Sequence, residues 1–130
     1  TSISETKTGE IIASFIRGFF IISPKTFQIQ TISEERGLST FFQLSNGYFY
    51  GLSYENFNKE IDFYKKGKLY IFEKSPLYSL KQTIESETNG FQSASEINDS
   101  KIALYSFNDG QLKIYAFNEN YNEYRMENQK

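Results

Sequence analysis

Four turn signals, Asn46-Gly47, Lys66-Gly67, Asn89-Gly90 and Asp109-Gly110, set the rhythm of this chain. Their glycines stand at 47, 67, 90 and 110, so 20, 23 and 20 residues separate them. That is roughly the length of two strands and two turns, the spacing of successive hairpins. The class this predicts is all-β, an antiparallel up-and-down meander forming a single domain over residues 1–130. A chain of 130 residues is large enough to bury one core without metals or disulfides. "GKLYIF" and "GQLKIYAF" both follow Gly with Leu at the second position and then alternate. Two matches this short read as the recurring physics of hairpins, too few to argue a solenoid.

The stretch "SFNDGQLKIYAF", Ser106 to Phe117, shows how the faces are expected to divide. Asn-Asp-Gly suits a three-residue loop closed by Gly110 in the left-handed region. That register sets Phe107 opposite Gln111 and Ser106 opposite Leu112. One face then carries Ile102, Leu104, Leu112, Ile114 and Ala116, and the other Tyr105, Phe107, Lys113, Tyr115 and Phe117. A slip of one residue mixes the two sets, so segregation favours the bulged register. In "EIDFYKKGKLYIF" a loop at Lys65-Lys66-Gly67 would pair Tyr64 with Lys68 and Phe63 with Leu69. Ile61, Phe63, Leu69 and Ile71 would share one face, and Asp62, Tyr64, Lys68, Tyr70 and Phe72 the other. The aliphatic side reads as core. The aromatic side is either ordinary solvent-facing strand or a surface that binds something.

In "GEIIASFIRGFF" the apolar residues Ile11, Ile12, Phe15, Ile16, Phe19 and Phe20 recur at helical spacing, which predicts an amphipathic helix ending near Gly18. The β-branched content and Gly18 argue instead for a strand, so helix and first strand stay open as alternatives for residues 9–20. "SPKTFQIQTIS" is expected to continue extended, with Pro24 at an edge or strand start. "TFFQLSNGYFYGLSY" makes a third hairpin. "SPLYSLKQTIESETNG" suits a strand or a short helix, and "FQSASEINDS" is polar enough for a loop.

The absence of His and Cys narrows function most. There is no imidazole general base, no Ser-His-Asp or Cys-His pair, and no thiolate or His-ligated metal. A non-enzymatic role without a cofactor is expected. A net charge of -2 from interspersed signs provides no basic footprint for nucleic acid. No apolar run reaches the length of a transmembrane span, since Arg17 and Gly18 interrupt "IIASFIRGFFII". A first residue Thr1 in place of an initiator Met gives an expectation of export.

Three features together resemble the calycin superfamily of lipocalins and intracellular fatty-acid-binding proteins. "FIRGFFIIS", Phe15 to Ser23, is similar to its N-terminal Gly-x-Trp motif, with Gly18 retained and Phe20 where Trp is usual. The run of hairpins fits the chain length, and "NDGQLKIYAFNENYNEYRMENQK" is similar to the last two strands of those barrels. The resemblance implies a meander closed into a calycin-like barrel that holds a small hydrophobic molecule. It also implies that Arg125 packs across Phe20 by a cation-π contact. On this reading Arg125, Leu104, Leu112, Ile114, Phe63 and Ile71 are the ligand-binding residues. The alternative is a protein-interaction module of immunity or inhibitor type, in which a helix covers the aliphatic face of a sheet. Tyr64, Tyr70, Tyr105, Tyr115 and Phe117 would then meet a protein partner.

Overall fold

A computed structural model describes residues 3–15, 18–33, 37–54, 67–85, 91, 93–106 and 110–127. They form twelve strands and a single 3-10 turn: β1 Ile3–Glu5, β2 Ile11–Phe15, β3 Gly18–Ile22, β4 Ile29–Ser33, β5 Gly37–Gln43, β6 Phe49–Tyr54, β7 Leu69–Phe72, β8 Leu80–Ile84, β9 Ser93–Ile97, the turn Asn98–Ser100, β10 Lys101–Ser106, β11 Gln111–Asn118 and β12 Glu123–Met126. Every strand pairing is antiparallel. The all-β antiparallel class expected from the turn rhythm is therefore what forms.

The strands group into three sheets of four, each a meander in chain order: β1-β2-β3-β4, β5-β6-β7-β8 and β9-β10-β11-β12. A barrel is one sheet closed on itself, and among the described residues no such closure joins these three. They stack instead, with the second sheet in the middle. Its period-2 alternation sends one set of side chains to each neighbour. Leu38, Phe41, Phe49, Tyr70 and Phe72 pack with Ile12, Phe19 and Ile21 of the first sheet. Leu52, Leu69, Ile71 and Ile84 pack with Ile102, Leu104 and Tyr124 of the third. All four residues of β7 are consequently buried, which is why "LYIF" reads as a continuous apolar run.

Residues 11–15 and 18–22 form a β-hairpin, so of the two alternatives left open, helix and strand, the strand is what forms. Ile12, Ser14, Phe19 and Ile21 are all buried, an alternation that a helix would break. Phe19 stacks on Phe41 at 3.9 Å between ring centroids and meets Phe72 edge-on at 5.4 Å. It therefore does not reach Ile102 or Leu104, as a helix covering that sheet would have required. Residues 24–27 form a tight turn instead of continuing extended, with Phe27 at φ 57° and its N–H donating to Ser23 O at 2.8 Å. The polar stretch 93–97, expected as loop, is β9. It pairs along β10, from Lys101 opposite Ile97 to Tyr105 opposite Ser93, because backbone hydrogen bonds need no apolar side chain.

One expected register is overturned. In the β10–β11 hairpin Ser106 lies opposite Gln111, Tyr105 opposite Leu112 and Ala103 opposite Ile114, one residue from the bulged register. The slip turns β11 over, so Tyr115 and Phe117 pack into the core against the second sheet while Leu112 is 61% exposed. The physical reason is volume: the large rings fill the space between two sheets that Ile114 and Ala116 would leave open. In β7, Leu69 lies between Leu52 of β6 and Ile84 of β8. Phe63 and Tyr64 lie outside the described residues. The three-residue loop closed by a left-handed glycine does occur, at residues 45–47. There Gly47 has φ 101°, Leu44 N–H donates to Tyr48 O (2.7 Å) and Gly47 N–H to Leu44 O (2.9 Å).

Candidate functional site

Polar ties fix how the sheets stack, and so which faces remain outermost. Between the first and second sheets, Lys7 N–H donates to Gln43 Oε1 at 2.8 Å and Lys7 Nζ donates to Ser45 O. The Tyr78 hydroxyl donates to Glu10 Oε1 at 3.0 Å. Between the second and third, Ser45 N–H donates to Glu96 Oε2 at 2.9 Å. The Gln82 side-chain amide bridges the outer strands, accepting from Tyr124 N–H at 2.7 Å and donating to Tyr124 O at 2.8 Å. The buried Tyr124 hydroxyl donates to Ser100 O at 2.9 Å and accepts from Asn46 Nδ2 at 3.0 Å. Burial pushes this phenol up to about 12, and the charge of nearby Glu96 adds to the shift. Desolvation likewise raises Tyr50 and Tyr78.

The two outer faces of the stack carry apolar side chains to the surface. On the third sheet, Ala103, Tyr105, Leu112, Ile114 and Ala116 share the face turned away from the second sheet, by the register of β10 and β11. Leu112 and Tyr105 are exposed, and Ala103, Ile114 and Ala116 are half-buried. Charges frame this patch towards β12. Lys101 Nζ lies 2.8 Å from Glu127 Oε2, and Arg125 Nε lies 2.8 Å from Glu123 Oε2. Hydrogen bonding to Glu127 raises the Lys101 pKa. On the first sheet, Ile3, Ile11, Ala13, Phe20, Ile22 and Ile29 share the outward face by the β1–β4 registers. Ile3, Ile11 and Ile29 are exposed. Patches of this kind on a folded surface mark interaction sites.

The expected site residues are redistributed accordingly. Leu104 and Ile71, expected to line a ligand cavity, pack against one another's sheets in a filled core together with Tyr115 and Phe117, expected to meet a partner. Tyr70 is 2% exposed and faces the first sheet. Leu112, Ile114 and Tyr105, drawn from the two opposite faces of the expected hairpin, come together on one outer face. Arg125 does not pack on Phe20, which lies on the far side of the second sheet. Its guanidinium sits 3.6 Å from the centroid of the Tyr121 ring, in the turn of its own hairpin. The outer face of the first sheet was missed. Its signal is the alternation of Ile11 with Ala13 and of Phe20 with Ile22, which the helical spacing of the apolar residues over 11–20 overlies.

A groove of about 210 Å³ opens between the first and second sheets, lined by Glu10, Ile21, Ser23, Gln28, Pro76 and Tyr78 among others; of the expected ligand-binding residues that are described, Arg125, Leu104, Leu112, Ile114 and Ile71, none lines it. Among the described residues no group of three His, Cys, Asp or Glu side chains gathers to hold a metal ion. No helix there is long and apolar enough to cross a membrane. Comparisons with protein-family models, with curated proteins and with solved structures each found no match.

Proposed function

We propose that this chain is a non-enzymatic protein-interaction module whose contact surface is the outer face of the third sheet, and that its partner presents an apolar sheet face of its own. The observation that carries this reading is a contrast within the molecule. The middle sheet has both faces covered, whereas the third sheet, built the same way, leaves Leu112 61% exposed beside Tyr105 on a continuous strand pair. Burying such a patch contributes about 25 cal/mol for each Å² of apolar area removed from water, and rigid aromatic and aliphatic anchors in its centre dominate association.

The reading is tested by capture with the purified chain as bait, comparing wild type with Leu112→Asp and with Lys25→Asp, an exposed turn position away from the face. Circular dichroism first establishes that each variant folds. Loss of a captured protein with Leu112→Asp and retention with Lys25→Asp is the expected result; equal retention by both variants refutes the surface. The calycin-like reading, a small hydrophobic molecule held in a closed barrel, rests on the resemblance of residues 15–23, the run of hairpins and the ending from Asn108 onward. Native mass spectrometry addresses it, and an apolar molecule released at near one-to-one ratio would favour it over the interaction surface.

A further inference from the structure

Counted back from the turn into the fourth strand, the third strands of the three sheets align position by position. Ser23 with Gln28, Glu73 with Ser79 and Asn118 with Glu123 close the equivalent turns, and each turn holds one non-glycine residue at positive φ: Phe27 at 57°, Tyr78 at 58° and Asn122 at 56°. Ile22, Phe72 and Phe117 then occupy one equivalent position of the third strand, and Phe20, Tyr70 and Tyr115 another. In the second and third sheets these residues face the preceding sheet. Phe19, Leu69 and Ile114 are equivalent on the opposite side, as are Ile21, Ile71 and Ala116. In the first and second sheets these face the following sheet. Each sheet thus has a leading face and a trailing face, and both internal joints seat a leading face on a trailing one.

Two faces of these types remain outermost. The first sheet shows a leading face, where Ile11 stands at the position of the fully buried Phe49. The third shows a trailing face, where Ile114 stands at the position of the fully buried Leu69. Each is therefore shaped and lined for the other. One chain cannot bring its own two ends together with only three sheets, since radial stacks of four-stranded sheets close at roughly four to eight. Two chains supply six.

Building on the interaction reading above, we propose that the partner is a second copy of this chain. The third sheet of each copy docks on the first sheet of the other, closing a two-fold ring of six sheets through two identical head-to-tail joints. The joint has the same sense, leading face on trailing face, as the two already made inside the chain.

Sedimentation equilibrium of the full chain tests this. The expected mass is twice the 15.2 kDa of one chain. Leu112→Asp on the trailing face and Ile11→Asp on the leading face should each give monomers that keep the wild-type circular dichroism spectrum. An equimolar mixture of the two variants should recover a dimer, because one joint between intact faces remains available. A wild-type chain that stays monomeric at every concentration overturns the proposal. So does a dimer broken by Leu112→Asp but not by Ile11→Asp, which would mean trailing face on trailing face. If the chain is monomeric while Leu112→Asp still abolishes capture of another protein, the copy pairing falls and the interaction surface stands; if neither assay responds to Leu112→Asp, both fall.

Discussion

Tyr124 concentrates several of the forces that hold the second and third sheets together. Its ring meets Phe117 edge-on at 5.5 Å, its hydroxyl bonds Ser100 and Asn46, and its backbone is clasped by Gln82. Tyr124→Phe keeps the ring and removes one donor and one acceptor from a buried site, so a loss of about 1–2 kcal/mol is expected in urea unfolding. The raised phenol also makes stability pH-dependent. Between pH 10 and about 12 the unfolded chain releases this proton while the folded chain keeps it, so the unfolded state binds fewer protons and stability falls as pH rises. Below pH 10 the contribution is fully present. Unfolding free energies measured across that window should decline less steeply in Tyr124→Phe; Tyr50 and Tyr78, shifted in the same direction, account for a remaining slope.

At the scale of an element, the β10–β11 hairpin shows how much a single register decides. Ile114 O accepts from Glu127 N–H at 2.7 Å, so the backbone groups of Ile114 point to β12 and its pairing with Ala103 is the non-hydrogen-bonded kind, with closely spaced Cβ atoms. The double variant Ala103→Cys with Ile114→Cys should oxidise readily to an intramolecular disulfide, read as loss of free thiols without a change of mass state. Ala103→Cys with Tyr115→Cys should not, because those side chains lie on opposite faces; the shifted register would reverse the two outcomes. Segregating aliphatic from aromatic residues misplaces this hairpin because both kinds of side chain are apolar. A period-2 pattern identifies a strand without identifying which apolar face is inside, and here ring volume between two sheets chooses.

At the scale of the whole molecule, stability should decrease outward from the middle sheet. β7 is buried on both faces and bonded on both edges, whereas β1 is a three-residue strand paired only with β2. In dilute solution, hydrogen exchange should leave the amides of Leu69–Phe72 protected longest and those of Ile3–Glu5 shortest. Exchange from β1 as slow as from β7 would contradict a stack with open ends. Gly18, Gly67 and Gly110 each precede or open the third strand of a sheet, but the match of "GKLYIF" to "GQLKIYAF" is out of step with the repeat of whole sheets, which sets Leu69 against Ile114. The equivalent stretches are "RGFFII", "GKLYIF" and "LKIYAF", and the first shares with the other two only its apolar run, so the repeat does not show in the sequence.

What the sequence by itself determined is local: turn chemistry at Asn46-Gly47, alternation along the strands, and the antiparallel all-β class, each dictated by backbone dihedrals and side-chain period. It also removed His and Cys chemistry outright, a matter of composition. Tertiary structure decided the rest. Whether residues 11–20 form helix or hairpin, which face of β11 is core, and whether four-stranded units stack or close all depend on what lies across the interface. Apolar burial is non-directional, so a strand's own pattern can demand a partner without naming the side from which it comes.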